Sequence, residues 1–172
     1  CVAIDEAWLE ELFPGEVVGE NGAIFDDVAR RVMAVRQRKF RGLVLAEKKG
    51  GDVDPNLAGE ILAQRVIAGD LSLQKWDNKV DRWLARLRFL SAAMPELELP
   101  GFSEEDREMA IAQICAGATT FKEVRDRDPW RVLHQWLSAP QGQSLEAYAP
   151  EKIKLSNGIS TRVNYLDGSE PW

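Results

Sequence analysis

Leu43-Val44-Leu45-Ala46-Glu47-Lys48-Lys49-Gly50-Gly51-Asp52-Val53-Asp54-Pro55-Asn56-Leu57 is the stretch at which the chain changes its period. Before Gly50 the apolar residues are β formers with strand-like spacing: Val32, Val35, Phe40, Leu43, Val44 and Leu45. After Asp52 the spacing lengthens to that of a helix, with Leu57, Ile61, Leu62 and Val66 on one face. Gly50-Gly51-Asp52 reads as the hinge, and Asp54-Pro55 as an N-cap with proline at the first helical position.

Upstream of the hinge, Ala23-Ile24-Phe25 predicts a strand and residues 26–30 a turn. One long strand is expected from Arg31 towards Lys48, with Gly42 marking a bulge or kink inside it. A short helix precedes these, capped by Asp5 and closed by Pro14-Gly15, with Trp8, Leu9 and Leu12 as its buried stripe. Downstream, Asp77 caps the strongest helix, whose inward face is Val80, Trp83, Leu84, Leu87, Leu90 and Met94, and Pro95 stops it. Ser103 to Asp106 opens another, with Met109, Ile111, Ala112 and Cys115 as its face. Shorter helices are expected over residues 120–127 and 129–138, and a last turn over 144–148. Lys152–Leu155 and Thr161–Leu166 flank Ser156-Asn157-Gly158 as a hairpin.

The expected fold class is therefore α+β: antiparallel β pieces at both ends and a middle of about five helices. The expected division is 1–49 (short helix plus β segment), 50–150 (helical insert) and 151–172 (hairpin returning to the N-terminal sheet). The ends read as interior to a longer chain, Cys1-Val2-Ala3-Ile4 as mid-strand and Gly168-Ser169-Glu170-Pro171-Trp172 as a turn.

Composition narrows the function classes. With 45% hydrophobic and 29% charged residues, the 172-residue chain has the balance of a globular domain. No run of about 18 apolar residues occurs, so no membrane span is expected. Cys1 and Cys115 are too few for a disulfide framework and suit a reducing compartment, which points to the cytoplasm. His134 is the single histidine, expected half-buried near Trp130 and Trp136; a Ser138–His134 pair lacks an orienting acid, so no catalytic residue is assigned. Metal ligands are too sparse for a site, and no Walker-type glycine loop exists to hold nucleotide phosphates.

Charge is segregated. Residues 1–29 hold eight carboxylates and no Lys or Arg, whereas residues 30–49 hold eight bases against one acid. On a strand, Arg36 and Arg38 share one face and Lys39 and Arg41 the other, so both faces cannot be buried. Two readings follow. In one, the strand is an edge or protruding arm whose charges block aggregation and pair with the acidic first 29 residues. In the other, it is a ribbon that contacts phosphates. A second stripe, Lys75, Lys79, Arg82 and Arg86, reads as a solvated helix face.

Four segments in order carry a resemblance. They are residues 7–14 (Ala-Trp-Leu-Glu-Glu-Leu-Phe-Pro); residues 36–48, from Arg36 through Gly42-Leu43-Val44-Leu45 to Lys48; Trp76-Asp77 through Arg82, Leu84, Arg86, Leu87, Leu90 and Pro95; and Leu145, Ala149-Pro150, Ser156-Asn157-Gly158, Arg162-Val163-Asn164-Tyr165, Gly168 and Pro171. Together they resemble the carboxyl-terminal region of the bacterial HrpB-type DEAH-box ATP-dependent RNA helicases. Gln37 and Phe40 stand where that family's run is more basic. The resemblance implies a non-catalytic accessory region beside an upstream motor that would carry ATP, Mg²⁺ and the hydrolytic residues. RNA is the implied partner, with Arg36, Arg38, Lys39, Arg41, Lys154 and Arg162 as candidate contacts and no cofactor in these residues. The alternative is a protein-interaction module without nucleic-acid contact.

Overall fold

The computed structural model describes residues 6–165. The strand-like opening Cys1–Ile4, the cap Asp5, Leu166 and the closing turn at 168–172 lie outside the described residues. The elements run α1 (Glu6–Leu12), β1 (Val17–Asp26), β2 (Arg31–Phe40), β3 (Leu43–Lys49), α2 (Pro55–Ile67), α3 (Asn78–Ala93), α4 (Glu104–Cys115), α5 (Phe121–Arg125), α6 (Trp130–Leu133), α7 (Ala139–Tyr148), β4 (Lys152–Lys154) and β5 (Ser160–Arg162). The fold is α+β, with antiparallel strands towards both ends and helices between them. The chain divides into two compact units, Cys1–Leu71 with Cys115–Val124, and Ser72–Ile114 with Arg125–Trp172. The boundaries expected at residues 49 and 150 are not these: α2 belongs with the β segment, and the terminal hairpin with the helices.

In the first unit, β1, β2 and β3 form an antiparallel meander in that order. Asp26 shapes the first turn, its Oδ1 accepting from the N–H groups of Val28 (2.9 Å) and Ala29 (2.7 Å). The second turn corrects the reading of Gly42. The expected single strand is two strands, because Arg41 and Gly42 both take positive φ (46° and 87°) and reverse the chain. Two positive φ values suit the right-handed twist of a tight hairpin. An irregularity does occur nearby, as a register shift between Arg38 and Lys39.

Burial is confined to one end of this sheet, where Phe25, Val32 and Val35 join Ala58, Leu62 and Ala63 of α2 in the core. A strap over residues 119–121 completes it: Val32 N–H donates to Thr119 O (2.9 Å) and Phe121 N–H to Arg30 O (3.0 Å). Among the described residues the opposite end has no such cover, and every residue of β3 is exposed. The buried stripe expected on α1 is not found: Trp8 is 58% and Leu12 69% exposed. The ribbon beside α1 has no core to receive them, although the Phe13 and Phe40 rings meet at 5.4 Å.

In the second unit, Asp77 caps α3 as expected, accepting from Lys79 N (2.8 Å) and Val80 N (3.3 Å). Val80, Trp83, Leu84, Leu87 and Leu90 pack with Leu99, Phe102, Ala110, Leu133 and Leu145. Ser103 and Asp106 cap α4 reciprocally. The phase of α4 differs from expectation: Ile111 and Cys115 are inside, but Ala110 and Ile114 replace Met109 and Ala112, which are exposed. Ser138 and Gln141 close a capping box on α7. β4 and β5 pair with each other (Lys152 opposite Arg162) as a sheet of their own. The tail hairpin therefore forms where expected, while the single sheet shared by both ends of the chain is replaced by two.

Candidate nucleic-acid interface

The basic run lies on β2 and the turn after it. β2 is the central strand, so the edge assignment fails; the far half of the meander is nevertheless a solvated arm. Three of its four candidate cations meet carboxylates from the acidic first 29 residues. Arg38 pairs with Glu10, Lys39 with Glu20 (2.5 Å), and Arg41 with Glu16, where Arg41 Nη2 donates to Oε1 (2.9 Å). Arg41 sits in the turn rather than on a strand face, and its guanidinium lies over the Phe13 and Phe40 rings (4.9 and 5.2 Å). Its hydrogen bond and charge hold the Glu16 carboxyl below the usual carboxylate range. Arg36 is exposed and makes no ion pair among the described residues; its register partner on β3 is Lys48, a like charge. Exposed pairs of this kind are screened by solvent, so they orient the arm more than they stabilise it.

Lys154 and Arg162 lie on β4 and β5, in the second unit. Lys154 is exposed. Arg162 reaches Glu151 at 3.3 Å and lines a cleft of about 290 Å³ with Lys79, Arg82, Trp83, Arg86 and Trp130. Among the described residues Glu151 is the one carboxylate in that lining.

The cleft is built on α3. Lys79 and Arg82 project from its first turns, and Arg86 follows one turn on. Arg86 is not part of a solvated face, being only 5% exposed. Its Nε donates to Ala149 O (2.6 Å) and its Nη2 to Glu146 (2.7 Å), which ties α3 to the end of α7. The ribbon is held beside it by Val163 N–H to Glu151 O (3.0 Å) and by the Tyr165 hydroxyl donating to Pro150 O (3.0 Å). Burial pushes the Tyr165 hydroxyl pKa upward, so it remains a donor. Trp83 and Trp130 meet edge to face at 5.7 Å, and His134 packs on both rings (5.9 and 5.1 Å). His134 is exposed rather than half-buried, and the Ser138 hydroxyl is engaged in its helix cap. Lys79 and Arg82 make no ion pair among the described residues.

The six candidate cations are divided between the two units. Four lie on the arm of one unit, and two on the hairpin of the other. The cleft was missed because its walls, Arg82 and Arg162, are far apart in sequence. The only local signal was the helical spacing of Lys75, Lys79, Arg82 and Arg86. Among the described residues no three His, Cys, Asp or Glu side chains converge as a metal site, and no helix is long and apolar enough to cross a membrane.

A sheet arm and a helical unit with a terminal hairpin make up the fold, and its likeness is found among solved structures rather than among sequences. No protein-family model and no curated protein matches the sequence. Among solved structures, the chain is similar to the Escherichia coli DExH-box NTPase HrpB, with a TM-score of 0.63 and 17% identity over 99% of this chain. It is likewise similar to a structure of the Escherichia coli DEAH/RHA helicase HrpB, with a TM-score of 0.62 and 17% identity over 92% of this chain. The chain spans only 22% and 21% of the length of those two chains.

Proposed function

We propose that this chain is an accessory region of an ATP-dependent RNA helicase, supplying RNA contacts or support to an ATP-hydrolysing motor. ATP and Mg²⁺ belong, in this reading, to the motor. The observation that carries it is the likeness of 99% of the chain to one part of a DExH-box NTPase. Cations without a carboxylate partner among the described residues, Arg36 and Lys154 included, supply the positive surface. Arg38, Lys39 and Arg41 have carboxylates to exchange for phosphates, which lowers their contribution.

The test is a mobility shift of the chain on single-stranded and duplex RNA across a salt series. Binding at low salt should weaken with a log–log slope of about −0.7 for each phosphate neutralised on a single strand and about −0.9 on duplex. No shift at low salt with either RNA rejects the RNA-contacting role.

A second reading has one observation in its favour. β3 is an edge strand whose Leu43, Val44 and Leu45 are all exposed. Such an edge offers unpaired backbone groups and apolar side chains to a partner strand. A protein-docking module would use it and ignore RNA at every salt concentration.

A further inference from the structure

We propose that the cleft between α3 and β5 is a phosphate site for single-stranded RNA, and that it, rather than the β2 arm, is where this chain grips the strand. The proposal deepens the RNA-binding reading and rests on it.

Three observations converge. First, the charge in the cleft is uncommitted. Arg86 is neutralised by Glu146 and Arg162 approaches Glu151, yet Lys79 and Arg82 face the same space with no carboxylate partner among the described residues. On the β2 arm, by contrast, Arg38, Lys39 and Arg41 already hold carboxylates. An anion entering the cleft meets two cations, Lys79 and Arg82, without breaking an ion pair, whereas of the four candidates on the arm Arg36 alone is open to one and the other three must first give up a glutamate.

Second, the walls are preorganised. Asp77 caps the helix that carries Lys79 and Arg82, and Arg86 is fixed by two hydrogen bonds to the α7 end of the wall. Arg162 stands on a paired strand opposite. Less side-chain freedom is then lost on binding than from a flexible loop.

Third, the floor is aromatic. Trp83 is buried and Trp130 half-buried, so Trp130 presents part of its ring to the cleft beside the cations. Cations that track a backbone next to an aromatic face are the general design of single-strand binding, because every base has a π-face. At about 290 Å³ the space lies at the small end of ligand pockets. That suits one nucleotide of a strand passing through.

The experiment is fluorescence anisotropy of a labelled oligouridine with the whole chain, its Lys79→Glu/Arg82→Glu variant, Arg162→Glu and Arg36→Glu. Circular dichroism verifies that each variant is folded. The double variant should weaken binding by about tenfold or more at low salt and reduce the salt slope by about 1.4, two contacts at 0.7 each. Arg162→Glu, from the opposite wall, should weaken it in the same direction, and Arg36→Glu should matter less than either. If the unaltered chain binds and the double variant binds equally well, the cleft is wrong while the RNA-binding reading stands. If the unaltered chain does not bind, both fall. Displacement of the oligonucleotide by AMP or inorganic phosphate at comparable phosphate concentration would replace the strand with a free phosphate ligand and overturn the proposal.

Discussion

Arg41 holds three roles at one position. It occupies the β2–β3 turn at φ 46°, a conformation costly to most side chains, it pairs with Glu16, and it covers two phenylalanine rings. The pair has a titratable signature. Because Arg41 depresses the folded-state pKa of Glu16, its stabilisation is complete above the ordinary carboxylate value and is lost as pH falls through the depressed one. In an NMR titration the Glu16 carboxyl should therefore protonate at lower pH than unpaired surface glutamates, and Arg41→Ala should return it to their range. An unshifted Glu16 in the unaltered protein would deny the pair in solution. That the acidic opening residues would answer the basic run was legible in their charges. Which glutamate meets which base was not, because Glu10 reaches Arg38 only through the placement of α1 against the ribbon.

At the scale of elements, α2 packs directly against the backbone of residues 115–117. A Cβ on Gly59 would stand 2.8 Å from Cys115 O and 3.2 Å from Ala116 Cα and Gly117 N, all backbone atoms. Glycine to alanine in a helix interior ordinarily stabilises by about 1 kcal/mol. Here the sign should invert: Gly59→Ala is expected to cost about 1–3 kcal/mol through overpacking, read as a lower midpoint in urea unfolding. A raised midpoint would mean that the α4 end yields freely. Gly59 looks in the sequence like any weak point in a helix, since the backbone that crowds it lies more than fifty residues on. Caps were easier to read: Asp54, Asp77 and Ser103 act within their own turns. Helix phase was read well where large aliphatics are dense, as in α3. It slipped in α4, where alanines and Met109 mark a face weakly.

For the whole molecule, the α+β class was legible from the change of period at Gly50-Gly51-Asp52, but the division into units was not. The chain passes between the units at Leu71/Ser72, Ile114/Cys115 and Val124/Arg125, and no composition shift marks the last two. A segment of only ten residues, Cys115–Val124, carries buried Cys115, Ala118 and Val124 and the strap bonds to Arg30 and Val32. A truncated chain of residues 6–71 should accordingly melt without a cooperative transition, since its core lacks that contribution; a sharp calorimetric peak would contradict this. The same interleaving sets an order of events on the ribosome. The meander and α2 emerge early yet must wait for the partners of Arg30, Val32 and Gly59 until some fifty further residues have been made. The first unit to begin synthesis is thus barred from finishing alone, and its bare apolar edge is on offer to holding factors for that interval.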